Sequence, residues 1–170
     1  MQHEYGWVLD HVDARPTLII TRGLPGAGKS TAAIALATAR PGSLCRVNRD
    51  ALREMGHGRR LGTIAQERQV TVVEDAAVAA LLQDGVSVIV DAMHLEEEEV
   101  RRWRDVAAEH GAGIVVIDLR HVSPEECIRR DEQRGALGER TLGEALIREI
   151  SDAGTRVLDV DTSSPLVEDG

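Results

Sequence analysis

Phenylalanine is missing from the chain altogether, and Tyr5, Trp7 and Trp103 are the only aromatic residues. A surface that stacks many bases on aromatic rings is therefore excluded. Cysteine is scarce as well: Cys45 and Cys127 fall in separate predicted elements, form no metal-ligand spacing, and read as reduced, buried thiols. No apolar run approaches membrane-spanning length, and the opening stretch MQHEYGWVLDHVDARP lacks the basic segment and apolar core of a secretion signal. A cytoplasmic protein with no membrane association is expected, and nothing in the sequence calls for a protein partner. Basic charge is not in excess either. The formal net charge of −9 argues against wrapping duplex nucleic acid, which rests on neutralising many phosphates, but it permits a short strand in a locally basic cleft.

What the chain does have is enough apolar residue for one well-buried core, 42% of 170 positions, and too little length for two. We expect an N-terminal extension over residues 1–16, one domain over 17–162 and a polar tail over 163–170. The domain begins with its most informative stretch. After the apolar run Leu18-Ile19-Ile20 comes Gly23-Leu24-Pro25-Gly26-Ala27-Gly28-Lys29-Ser30, and an Ala-rich helical stretch follows from Thr31. This is a phosphate-binding loop in its required setting of strand, glycine turn and helix. Glycines let successive backbone N–H groups curl round phosphate oxygens, and the helix N-terminus adds a positive dipole end. ATP phosphates are thus expected against Gly23, Gly26, Ala27, Gly28, Lys29, Ser30 and Thr31, with Lys29 reaching the β- and γ-phosphates and Ser30 ligating Mg²⁺.

Strand and helix signals then alternate. Thr17–Arg22, Leu44–Val47, Val86–Val90, Ile114–Leu119 and Arg156–Val160 read as five strands, and residues 1–16 as an extra strand or an arm over the sheet edge. Helices are expected over 28–39, from about Asp50, over about 62–83, from Leu95, from the Ser123-Pro124 cap to Arg134, and over about 142–151. Alternation of this kind predicts an α/β fold, a parallel five-stranded sheet with helices on both faces. Ligands in such sheets sit beyond the strand carboxyl ends, where Gly23, Asp50 and Asp91 converge.

A phosphate loop leaves the acceptor open. Asp50 can accept a proton from an attacking hydroxyl, and Arg53, three residues on along a helix, can grip an anionic acceptor beside it. The competing reading makes Asp50 a helix cap and Arg53 its surface partner. Arg46, Arg49, Arg53, Arg59 and Arg60 stand against only Asp50 and Glu54, a basic patch in an acidic protein, so Arg49 joins Arg53 as an acceptor-binding candidate. Asp91 is placed to hold Mg²⁺, directly or through water, or to orient an active-site arginine. Arg130 and Arg134 share a helix face that enters the glycine-punctuated segment 135–140. Arg130 is expected at the ATP phosphates, and Arg134, carried on a small arginine-bearing lid, at the transferring phosphoryl group.

The series GLPGAGKS, VNRDALR, VDAMH and RRDEQRG, over residues 23–135, resembles the kinase domain of the phage and bacterial 5′-polynucleotide kinases, within the adenylate-kinase-like P-loop kinases. The resemblance implies the P-loop kinase fold and ATP- and Mg²⁺-dependent phosphorylation of 5′-hydroxyl ends of DNA or RNA. It gives Lys29 and Ser30 to ATP and Mg²⁺, Asp50 to the general base, Arg53 to the phosphate on the 3′ side of the acceptor nucleotide, Asp91 to support and Arg134 to the lid. The substrate would be short single-stranded or end-exposed nucleic acid. The chain departs from that family where Asp-x-Thr-Asn commonly follows the third strand: here it is Asp91-Ala92-Met93-His94. His94 either takes over a hydrogen bond to the acceptor or merely begins the next helix. Two other readings stay open: a same-fold kinase for a small-molecule, nucleoside or antibiotic hydroxyl, and a nucleotide-regulated binding module.

Overall fold

The structure, a computed structural model, describes residues 5–58, 63–138 and 141–161, with side chains described through residue 153. Its centre is a parallel sheet of β1 (Thr17–Arg22), β2 (Leu44–Asn48), β3 (Ser87–Asp91) and β4 (Gly113–Asp118), in the order β2-β3-β1-β4. β1 and β3 are buried at every position, which is why their sequences are continuous apolar runs without an alternating polar face. Register aligns Asn48 with Asp91 and Ile20 with Val90, so the strands end together along one edge.

Alternate residues of the strands feed two cores. Ile19, Ile89, Val115 and Ile117 point to one face, where α1 (Gly6–Ala14), α2 (Lys29–Ala39), α6 (Pro124–Ala136) and α7 (Glu144–Asp161) contribute Val8, Val12, Ala33, Leu36, Cys127, Ile128 and Ile147. Leu18, Ile20, Val88 and Val90 point to the other, against Val78 and Leu82 of α4 (Ile64–Gln83) and Val100, Trp103 and Ala107 of α5 (Glu97–Glu109). A three-layer α/β architecture results. α3 (Arg49–His57) fully buries no residue and touches the second core only through half-buried Leu52.

Two expectations are corrected. Residues 6–14 form a helix, not a strand or arm: Val8 and Val12, four apart, lie on one face and seat it on the sheet. The sheet has four strands among the described residues, not five, because 156–160 continue α7. Leu146, Ile147 and Ile150, continued in sequence by Val157 and Leu158, hold a helical repeat, and that repeat outweighs the β-branched character of the last turns. The arginine-bearing lid is left untested: Arg134 and Gly135 sit within α6, and residues 139–140 of the expected lid segment lie outside the described residues, as do Arg59 and Arg60. Ser123 caps α6 through Glu126 N, with Pro124 at its first position, and both cysteines are free thiols.

Candidate active site

The phosphate loop leaves β1 at Arg22 and is fastened at once, since Gly23 N donates to Met93 O of the neighbouring loop. Gly26, at φ 89°, packs so closely on α6 that a Cβ there would collide with the Cys127 carbonyl. Gly28, at φ 104°, caps α2 and has no side chain of its own with which to close the helix N-terminus. Lys29 is buried and turns its Nζ back on the loop, donating to Gly23 O at 2.9 Å and Leu24 O at 2.7 Å. Burial lowers its pKa from 10.5 to about 8, against the opposing pull of the Asp91 carboxylate. Ser30 and Thr31 follow on the exposed side of α2.

α6 brings two arginines to this loop. Arg130 donates from Nη1 to Ala27 O at 3.1 Å and from Nε to Glu126. Arg134 donates from Nη2 to Asp131 Oδ1 at 2.6 Å, and its Nε is buried without a partner. Asp131, itself buried, also accepts from the backbone of Leu142 and Gly143, so it ties the start of α7 to the arginine-bearing turn. The charges of Asp91, Arg134 and Asp50 all act on Lys29, and these residues therefore share one electrostatic site.

Asp91 ends β3 with its side chain 1% exposed. Its Oδ2 accepts from Arg46 Nε at 2.9 Å, Arg46 Nη2 at 2.5 Å and Asn48 Nδ2 at 3.1 Å. A serine hydroxyl and one buried carboxylate suit Mg²⁺, a hard ion that keeps several waters and substrate phosphates in its shell. No group of three or more metal-binding side chains is present among the described residues, which such a site does not require.

The acceptor-side candidates lie on α3. Asn48, in extended conformation, caps this helix by accepting from Ala51 N, so Asp50 is not the cap. Asp50 is 58% exposed and accepts from Arg53 Nη1 at 2.8 Å. Arg53 sends Nε and Nη2 to the two carboxylate oxygens of Glu67 at 2.6 and 2.8 Å. Arg49 reaches Glu74 at 2.6 Å, Thr71 at 3.2 Å and Glu67 at 3.3 Å. The described arginines of the patch that reads as basic along the sequence, Arg46, Arg49 and Arg53, are thus paired in the fold with Asp91, Glu74 and Glu67. Burial raises the pKa of Glu74, and Arg49 opposes the shift; the Arg53 hydrogen bonds lower that of Glu67.

His94 does not face an acceptor. It is buried at φ 44°, its Nδ1 bonds Thr21 O at 2.8 Å, and Trp103 Nε1 donates to its Nε2 at 2.9 Å. Both ring nitrogens are used inside the protein, and burial holds its pKa at about 4, so the ring is neutral, with the proton on Nδ1. His94 supports the loop after β3 instead, with Arg22, a buried arginine that bonds His94 O, Leu95 O and Glu97.

Sequence reasoning missed Glu67, Glu74, Asp131 and Arg22, and counted Arg46 only as patch charge. One signal was available: Val70, Glu74 and Val78 are spaced four apart, so a carboxylate stands on the buried stripe of α4.

The family model described as AAA domain matches residues 18–157. A chain in the structure of the Pnkp1/Rnl/Hen1 RNA repair complex is 26% identical, with a TM-score of 0.73 over 89% of this chain and 47% of its own length. A chain in a structure of a Pnkp1/Rnl/Hen1 complex is 32% identical, with a TM-score of 0.61 over 68% of this chain and 39% of its own. The protein thus spans less than half of either. The APS kinase CysC of Mycobacterium tuberculosis, 24% identical with a TM-score of 0.56 over 76% of this chain and 78% of its own, shares the fold. No curated protein matches the sequence.

Proposed function

Because the chain belongs to the AAA domain family and carries the P-loop kinase fold, we propose that it transfers the γ-phosphoryl group of ATP to the 5′-hydroxyl of a DNA or RNA end. One observation carries the reading: an exposed carboxylate, Asp50, held by Arg53, stands at the same sheet edge as the Lys29 loop. Lys29 exchanges the Gly23 and Leu24 carbonyls for phosphate oxygens, Arg130 lies against the loop, and Arg134 offsets charge on the transferring group. Asp50 takes the hydroxyl proton, and Arg53 with Arg49 positions the acceptor through a phosphate on its 3′ side. Ser30 and Asp91 would hold Mg²⁺, which would supply positive charge to the phosphate oxygens. Asp91 also orients Arg46.

Neutralisation of the α3 arginines favours a second reading, a kinase of a small hydroxyl compound. The likeness to chains of the RNA repair complexes, at 26 and 32% identity, supports the first. Incubation of γ-labelled ATP with 5′-hydroxyl DNA and RNA oligonucleotides beside a panel of nucleosides and sugars separates them. The oligonucleotides are expected to carry the label; label confined to the small hydroxyl compounds would replace the first reading with the second.

A further inference from the structure

Each nitrogen of Arg53 makes a hydrogen bond within the protein, which uses three of its five N–H groups. Nη1 holds Asp50, and Nε and Nη2 hold the two oxygens of Glu67 in a parallel pair. That fork geometry is the one a guanidinium offers to a phosphate. An acceptor phosphate that takes the paired Nε and Nη2 donors of Arg53 must therefore displace Glu67, and one that displaced Asp50 instead would remove the base the reaction needs. The two carboxylates that hold Arg49 and Arg53 from α4 differ in how easily they let go. Glu74 is 1% exposed and has water excluded from it, whereas Glu67 is 35% exposed and reaches solvent by rotating about its own side chain. When Glu67 leaves, Arg49 keeps its 2.6 Å bond to Glu74 and stays in place.

We propose that Glu67 is a specificity-determining counter-ion of the acceptor site: it occupies Arg53 until a phosphate on the acceptor displaces it. The proposal rests on the reading of Arg53 as the acceptor-phosphate ligand. Glu67 keeps the guanidinium in register beside Asp50, and it sets a threshold, since an acceptor gains from Arg53 only the difference between its own anion and this carboxylate. A hydroxyl compound without a phosphate does not displace Glu67 and gains nothing from Arg53.

Binding of adenosine 3′-monophosphate and of adenosine to the wild type and to Glu67→Gln, measured by calorimetry, tests this without relying on turnover. The monophosphate should bind the variant about three- to tenfold more tightly, adenosine and ATP should stay within about twofold, and Arg53→Ala added to Glu67→Gln should erase the gain. Glu67→Asp, one methylene shorter, should give a smaller gain in the same direction, and it serves if the glutamine variant does not fold. Unchanged or weaker monophosphate binding in the folded variants would overturn the proposal, as would a parallel change for adenosine or no monophosphate binding by either protein. The two ideas fail separately. A protein that labels oligonucleotides yet shows no Glu67 effect loses only this assignment, and one that shows the effect but labels none loses only the polynucleotide reading.

Discussion

The two halves of the site are built from different materials. The donor half is set into the hydrophobic core: Lys29 is 9% exposed, Gly26 packs on the Cys127 backbone, and buried Arg22 and His94 fasten the neighbouring loop to β1. The acceptor half is an α3 helix that buries no residue fully, rests Leu52 on the core and is held by Arg49 and Arg53 to carboxylates of α4. Packing and backbone hydrogen bonds fix the first half in one geometry, which suits a ligand group that is always the same triphosphate. A partly exposed ion pair such as Arg53–Glu67 can be exchanged for contacts with a ligand, which suits the proposed reading of this half as the site of an anionic acceptor.

The largest effect expected from that difference is at Gly26. Gly26→Ala combines a positive φ with a collision against the Cys127 carbonyl, so thermal or denaturant unfolding should show a loss of about 2–5 kcal/mol and calorimetry a loss of ATP binding. The acceptor half should break through charge instead. Arg49→Met leaves the buried Glu74 carboxylate with the more distant Arg102, at 3.9 Å, and should cost about 3 kcal/mol in denaturant unfolding, while Glu74→Leu added to it should recover most of the loss. Recovery would set this half apart from the donor half, where a backbone collision has no such electrostatic remedy.

A smaller effect sharpens the donor side through pH. Lys29 has a folded pKa of about 8, below its ordinary 10.5, so the unfolded chain binds more protons between these values and the nucleotide-free protein gains stability as pH rises through that window. Triphosphate favours the charged amine. ATP affinity should therefore be level below pH 8 and about tenfold weaker at pH 9 than at pH 7, with proton uptake on binding, as calorimetry in buffers of different ionisation enthalpy would register.

The donor half was legible in the sequence because its information is local. Eight consecutive residues from Gly23 to Ser30 hold the loop's conformation, and the strands and the Ser123-Pro124 helix start are equally contiguous signals. The acceptor half was read incompletely because its charges meet across long separations. Counting neighbours in sequence sets Arg49 and Arg53 against Asp50 and Glu54, whereas the fold brings Glu67 and Glu74 to them across 14 and 25 residues. His94 misled for a related reason, since its role depends on a left-handed backbone and on Trp103, nine residues away, neither of which spacing discloses. The helix at residues 6–14 was obscured by its brevity and by Tyr5 and Trp7 at its start, and the end of α7 by β-branched residues that a helix begun at Glu144 carries along.

Asp50→Asn tests most directly whether the two halves meet as donor and acceptor of one transfer. Transfer to a 5′-hydroxyl oligonucleotide should fall by about 10²–10⁴ in kcat while calorimetry finds ATP affinity within about twofold of wild type. Transfer persisting within about tenfold, or ATP affinity lost in parallel, would contradict the assignment of Asp50 as the base on the acceptor side.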